Sequence, residues 1–96
     1  MLILEYLDWF GSLESLKKWD EETRRVCALT NDKLLGRYGA SNRKYHWCYV
    51  FEVKDHQKWM DSFTKNFKLK RDLDVLRYLE FEMLGGDHMI NKIPFF

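Results

Sequence analysis

The hydrophobic positions along this chain recur with two periods, and the switches between them mark out six elements. "MLILEYLDW" (Met1 to Trp9) is apolar on both alternating sets near its start, which suits a central strand in a sheet covered on both sides. Gly11 ends it. Ser12 follows as an N-cap, and Glu14 lies in the first turn, where a helix dipole favours an acid. Leu13, Leu16, Trp19, Thr23, Val26 and Thr30 then repeat at helical spacing, predicting a helix to about Thr30 that "TND" closes.

A second strand, "KLLGRYGA" (Lys33 to Ala40), is interrupted by Gly36 and Gly39, as an edge or a close backbone approach would require. "SNRK" has turn chemistry and leads into "YHWCYVFEV" (Tyr45 to Val53), so these two strands pair as an antiparallel hairpin. Asp55 caps a second helix whose face carries Trp59, Met60, Phe63 and Phe67. "NFKLKRDLD" reads as a basic connection. The last strand, "VLRYLEFEML" (Val75 to Leu84), sets Val75, Leu79, Phe81 and Met83 against Tyr78, Glu80 and Glu82. Gly85 and Gly86 end it and "DHMINKIPFF" forms a tail.

The order β-α-β-β-α-β, with short antiparallel links and right-handed crossovers, predicts an α+β fold. It is a ferredoxin-like βαββαβ sandwich with a four-stranded antiparallel sheet and two helices on one face. Residues 1–84 form the domain and 85–96 the tail. The helices leave one sheet face open, and neither parity of the third strand is hydrophilic. Tyr45, Trp47, Tyr49, Phe51 and Val53 lie on one side, and His46, Cys48, Val50 and Glu52 on the other. An uncovered apolar face of this kind is rare on a monomer, so a symmetric homodimer packed sheet to sheet is expected. The tail segment "INKIPFF" would pack on the partner subunit.

The run "YHWCYVFEVKDHQKWMDSF", with its acid-containing "FEVKD" turn and apolar "WMDSF" helix face, and "LLGRYGA" before it, resembles the dimeric α/β-barrel superfamily. Small uncharacterised proteins and antibiotic-biosynthesis-monooxygenase-like domains share that pattern. The resemblance covers about residues 1 to 84 and implies two ferredoxin-like subunits pressed together. Activities in the superfamily range from cofactor-free oxygenation to haem handling, so it implies a fold more narrowly than a reaction. No catalytic motif of the family maps residue by residue onto this chain.

Composition narrows the field further. A chain of 96 residues, 46% hydrophobic and 17% aromatic, is a single folded domain. Sixteen Lys and Arg against fifteen Asp and Glu give no global pull towards polyanions or membranes. Cys27 and Cys48 lie outside any C-x-x-C spacing and read as reduced thiols of a cytoplasmic protein. No apolar run reaches the ~20 residues of a membrane span, and the opening lacks the basic n-region of a signal peptide.

Candidate chemistry concentrates around the third strand. Trp47 and Tyr49, with Tyr38 and Arg37 on the second strand, would bind a small apolar or aromatic ligand, the ordinary alternative being core packing. His46 is the candidate base or haem ligand if the domain is a cofactor-independent monooxygenase or haem-handling enzyme. A structural histidine held by hydrogen bonds is the plainer reading, and His56 and His88 are weaker candidates. Glu80 and Glu82 could approach Glu5 or Asp8 as paired carboxylates, or simply guard an edge strand. Arg37 and Arg43 could hold an anion. An RNA-binding module has the same element order, and Lys68, Lys70 and Arg71 give a local basic patch. Yet "RKYHWCYVF" lacks the glycine of the RNA-recognition signature, so nucleic acid is not the expected partner. Histidine spacing predicts no metal site, and no cofactor motif is legible.

Overall fold

A computed structural model of the chain describes residues 1–39, 46–70 and 75–85. Its elements are β1 (Leu2–Trp9), α1 (Leu13–Leu29), β2 (Lys33–Gly39), β3 (Trp47–Glu52), α2 (His56–Asn66) and β4 (Leu76–Leu84). Every neighbouring pair is antiparallel and the sheet order is β2-β3-β1-β4, the order of a ferredoxin-like sandwich. The expected α+β fold is therefore present. The tail beyond Gly85, with His88, and Arg43, Tyr45 and Arg71 lie outside the described residues.

Local chemistry explains where the helices start and stop. Ser12 Oγ accepts from the Ser15 amide at α1, and Asp55 Oδ1 accepts from the Gln57 and Lys58 amides at α2. Thr30 caps the C-terminus of α1 instead of extending it. The next residue, Asn31, takes a φ of 57°, a left-handed conformation that asparagine tolerates. The chain turns there with Asn31 N donating to Ala28 O and Asp32 N to Cys27 O.

Register decides the faces that the sequence left open. Ile3, Glu5, Leu7 and Trp9 of β1 share the helix-covered side with Tyr49, Phe51 and Val53, all buried. Leu16, Trp19, Val26 and Cys27 of α1, and Trp59 and Phe63 of α2, complete this core. Rings dominate it: Trp59 lies 4.7 Å from Phe51 and 5.0 Å from Phe63, centroid to centroid. The opposite face carries Leu2, Leu4, Tyr6 and Asp8 beside Cys48, Val50 and Glu52, with Tyr38, Glu80, Glu82 and Leu84 flanking them.

The alternation in β4 differs from the simple reading at one point. A register shift between Asp8 and Trp9 pairs Trp9 with Leu76, and Leu76, not Val75, becomes the fully buried residue. Glu5 also parts company with Glu80 and Glu82. β4 does lie beside β1, but Glu5 pairs with Phe81 and faces the helices, while Glu80 pairs with Tyr6 and Glu82 with Leu4 on the open side. Tyr6 donates its hydroxyl to Glu82 at 3.2 Å.

Candidate functional site

Three of the residues expected at a ligand site come together, and they meet an acid from α1. Arg37 forks onto Asp20, Nε to Oδ1 at 2.7 Å and Nη2 to Oδ2 at 3.0 Å, and its guanidinium carbon lies 4.3 Å from the Trp47 ring centroid. The Tyr49 hydroxyl donates to the same Asp20 carboxylate. Burial, and then the carboxylate it donates to, push the phenol further above its ordinary range, so Tyr49 stays protonated. These contacts leave Arg37 and Tyr49 occupied within the protein. Tyr38 stands apart on the open face, more than half exposed.

Next to Tyr49 in register is an unusual carboxyl. Glu5 is 0% exposed, and among the described residues neither of its oxygens has a hydrogen-bond partner. Burial alone raises its pKa to about 8. Thr23, one turn after Asp20 on α1, is also fully buried, its hydroxyl unpartnered among the described residues. Cys27 is a closed-in thiol, raised to about 11 by burial, and both cysteines are free.

His46 sits at the end of the sheet. Its Nδ1 lies 3.1 Å from the Trp9 amide nitrogen and 2.5 Å from the Trp9 carbonyl oxygen, so either tautomer bonds the strand end. Asp8 Oδ1 is 3.5 Å away and the Phe10 ring packs at 5.1 Å. The ring clasps the β1 terminus and remains about half exposed. Among the described residues, no three His, Cys, Asp or Glu side chains cluster as a metal site requires. No helix of the described residues is long and apolar enough to cross a membrane.

An apolar crevice lies elsewhere, at the corner where β1 runs into α1. A crevice of about 220 Å³ is lined by Trp9, Trp19, Leu69, Val75 and Leu76, with Ser15, Lys18 and Lys70. Trp9 and Trp19 meet edge to face at 5.5 Å. The corner is tight because Gly11 permits it: a Cβ there would stand 2.6 Å from Val75 Cγ1, 2.8 Å from Ser15 Oγ and 3.0 Å from Trp9 Nε1. Phe10 N donates to Val75 O at 2.6 Å, fixing β4 to the end of β1. On the other wall, Glu22 accepts from the Lys68 amide at 2.5 Å and from Arg25, whose guanidinium also reaches Asn66 O. This anchors the chain just before Leu69 and Lys70.

Sequence reading placed both tryptophans in elements but did not join them, since residues from β1, α1, β4 and the α2–β4 connection form the wall. The legible signal was only the "DWFGS" corner, where a large ring meets a glycine and a cap. No family model, curated protein or solved structure matches the chain.

Proposed function

We propose that this is a small-molecule-binding domain whose ligand is an apolar or aromatic molecule lodged in the crevice between β1, α1 and β4. The carrying observation is the lining itself: two indoles and three aliphatic side chains around about 220 Å³ of unfilled space. Concave clefts lined mainly by apolar and aromatic side chains are where small molecules ordinarily lodge. The volume falls below the range of about 300–1,000 Å³ that suits drug-sized ligands, which favours a molecule of one or two fused rings.

Titration with 2-naphthalenemethanol, followed by the indole N–H signals of Trp9 and Trp19 in 15N NMR, tests this. Saturable shifts of those two signals are expected, and Leu69→Trp, which fills the crevice from its exposed side, abolishes them. Shifts absent from both indoles, or unchanged in the filled variant, refute the reading.

The open sheet face favours a second role, assembly into a homodimer. Leu2, Leu4 and Val50 form an apolar centre there, and Asp8, Glu52, Glu80 and Glu82 surround it, the pattern of a buried patch with a polar rim. Those four acids also oppose use of the face as a base-stacking platform, since each would repel a phosphate backbone. Two reduced thiols suit a cytoplasmic setting.

A further inference from the structure

We infer that the crevice takes an anionic ligand, an aromatic or alkyl carboxylate, with its apolar body against Trp9 and Trp19 and its charged end towards Lys18 and Lys70. This rests on the crevice being the binding site.

The argument comes from the polar groups around the crevice. Among the described residues its charged lining is two lysines and no acid. This is a local departure, because the whole chain carries sixteen basic and fifteen acidic residues. Two arginines are held by acids of their own, Arg25 by Glu22 and Arg37 by Asp20. Lys18 and Lys70 form no ion pair among the described residues.

Ser15 adds no capacity, since its hydroxyl already donates to Ser12 O at 2.9 Å and receives the Ser12 hydroxyl at 3.2 Å. The indole N–H of Trp9 reaches Ser12 O at 3.4 Å, whereas that of Trp19 is buried with no acceptor among the described residues. Such an orphaned donor is costly in a protein interior. Among the described residues, the charged groups at the crevice are therefore both donors, the ammonium groups of Lys18 and Lys70. A neutral hydrocarbon would engage neither ammonium group. A carboxylate brings two acceptor oxygens and the opposite charge, and charge-assisted hydrogen bonds are the stronger kind.

The test compares 2-naphthoate with its neutral counterpart 2-naphthalenemethanol by calorimetry at low salt, on the whole chain and on Lys18→Gln/Lys70→Gln. Both positions are exposed, so the double variant leaves the core intact. The carboxylate is expected to bind about tenfold more tightly than the alcohol, an advantage that added salt and the double variant both remove. The alcohol binds wild type and variant alike. Equal affinity for the two probes overturns the anionic assignment and leaves the crevice standing as an apolar site. Binding of neither probe overturns both.

Discussion

Glu5 and Tyr49 stand opposite each other across the β1–β3 ladder, both fully buried on the helix side of the sheet. The tyrosine hydroxyl donates to Asp20 on α1, which Arg37 also grips, and the Glu5 carboxyl has no hydrogen-bond partner among the described residues. Two neighbouring polar groups thus meet different fates. The Asp20 cluster is a satisfied bridge from α1 to β2 and β3, and Glu5 is a proton-holding group sealed in the core.

This makes stability depend on pH through Glu5. Its native pKa of about 8 lies above the ordinary value of 4.5, so the native state holds the proton more tightly than the unfolded chain. The stabilisation from that proton is complete below about 4.5 and is lost as the pH rises towards 8. At pH 7 the loss is about 3 kcal/mol, since each pKa unit is worth about 1.4 kcal/mol. Glu5→Gln keeps the shape without the ionisation. Urea melts at pH 5 and pH 8 should show wild type weakening with pH and the variant changing much less. Parallel behaviour of the two proteins would sink the assignment.

How much of this could be read from the sequence follows from which interactions are local. Ser12, Asp55 and the "TND" turn act within a few residues of themselves, so the helix ends were legible. Strand alternation gave the element order. The orientation of β3 was not legible, because both its parities are apolar and only pairing with Ile3 and Glu5 puts Phe51 and Tyr49 inside. Glu5 was hidden for a related reason. An acid between Leu4 and Tyr6 reads as the polar side of a strand, yet the odd positions Ile3, Leu7 and Trp9 carry it into the core. The Asp20–Arg37 pair joins α1 to β2 through tertiary packing, which no spacing rule signals.

Gly11 sets the shape of the crevice by its missing side chain. In Gly11→Ala the new Cβ would press on Val75 Cγ1 at 2.6 Å, and a β-branched valine at a strand entrance has little room to retreat. A loss of about 1–3 kcal/mol is expected, with weaker binding of 2-naphthalenemethanol because Val75, Ser15 and Trp9 line the site. Gly85→Ala is the matched control, since among the described residues nothing stands within 4 Å of its Cβ position. Equal melting temperatures for the two variants would contradict this role for Gly11.

Glu22 governs the other wall. Its hydrogen bond from Arg25, with a further one from the Lys68 amide, holds its pKa down at about 2, so this acid stabilises the fold above 4.5 and that contribution is lost as the pH falls through 2. The Lys68 amide proton should report a titration midpoint near 2 in NMR. Glu22→Gln should abolish that titration and speed exchange of the Lys68 amide, while the Val50 amide in the sheet is unaffected. A midpoint at the ordinary glutamate value would show that the carboxylate does not hold the α2–β4 connection.

Val50 tests the open sheet face. It lies at the centre of that face, paired with Leu4 on one side and Gly36 on the other, and is partly exposed in the single chain. If two sheets pack face to face, Val50→Lys places a charge at the middle of the contact, where burying it unpaired is prohibitive. Within one subunit the same lysine can extend over the surface towards Glu52 and water, so the fold survives. Light scattering should give a dimer for wild type and a monomer for the variant, with matching circular dichroism. A wild-type monomer at high concentration would remove the assembly role, and a variant that remains dimeric would move the contact to another surface. Either result leaves the crevice at the β1–α1 corner unaffected, because its lining faces the opposite side of the sheet from Val50.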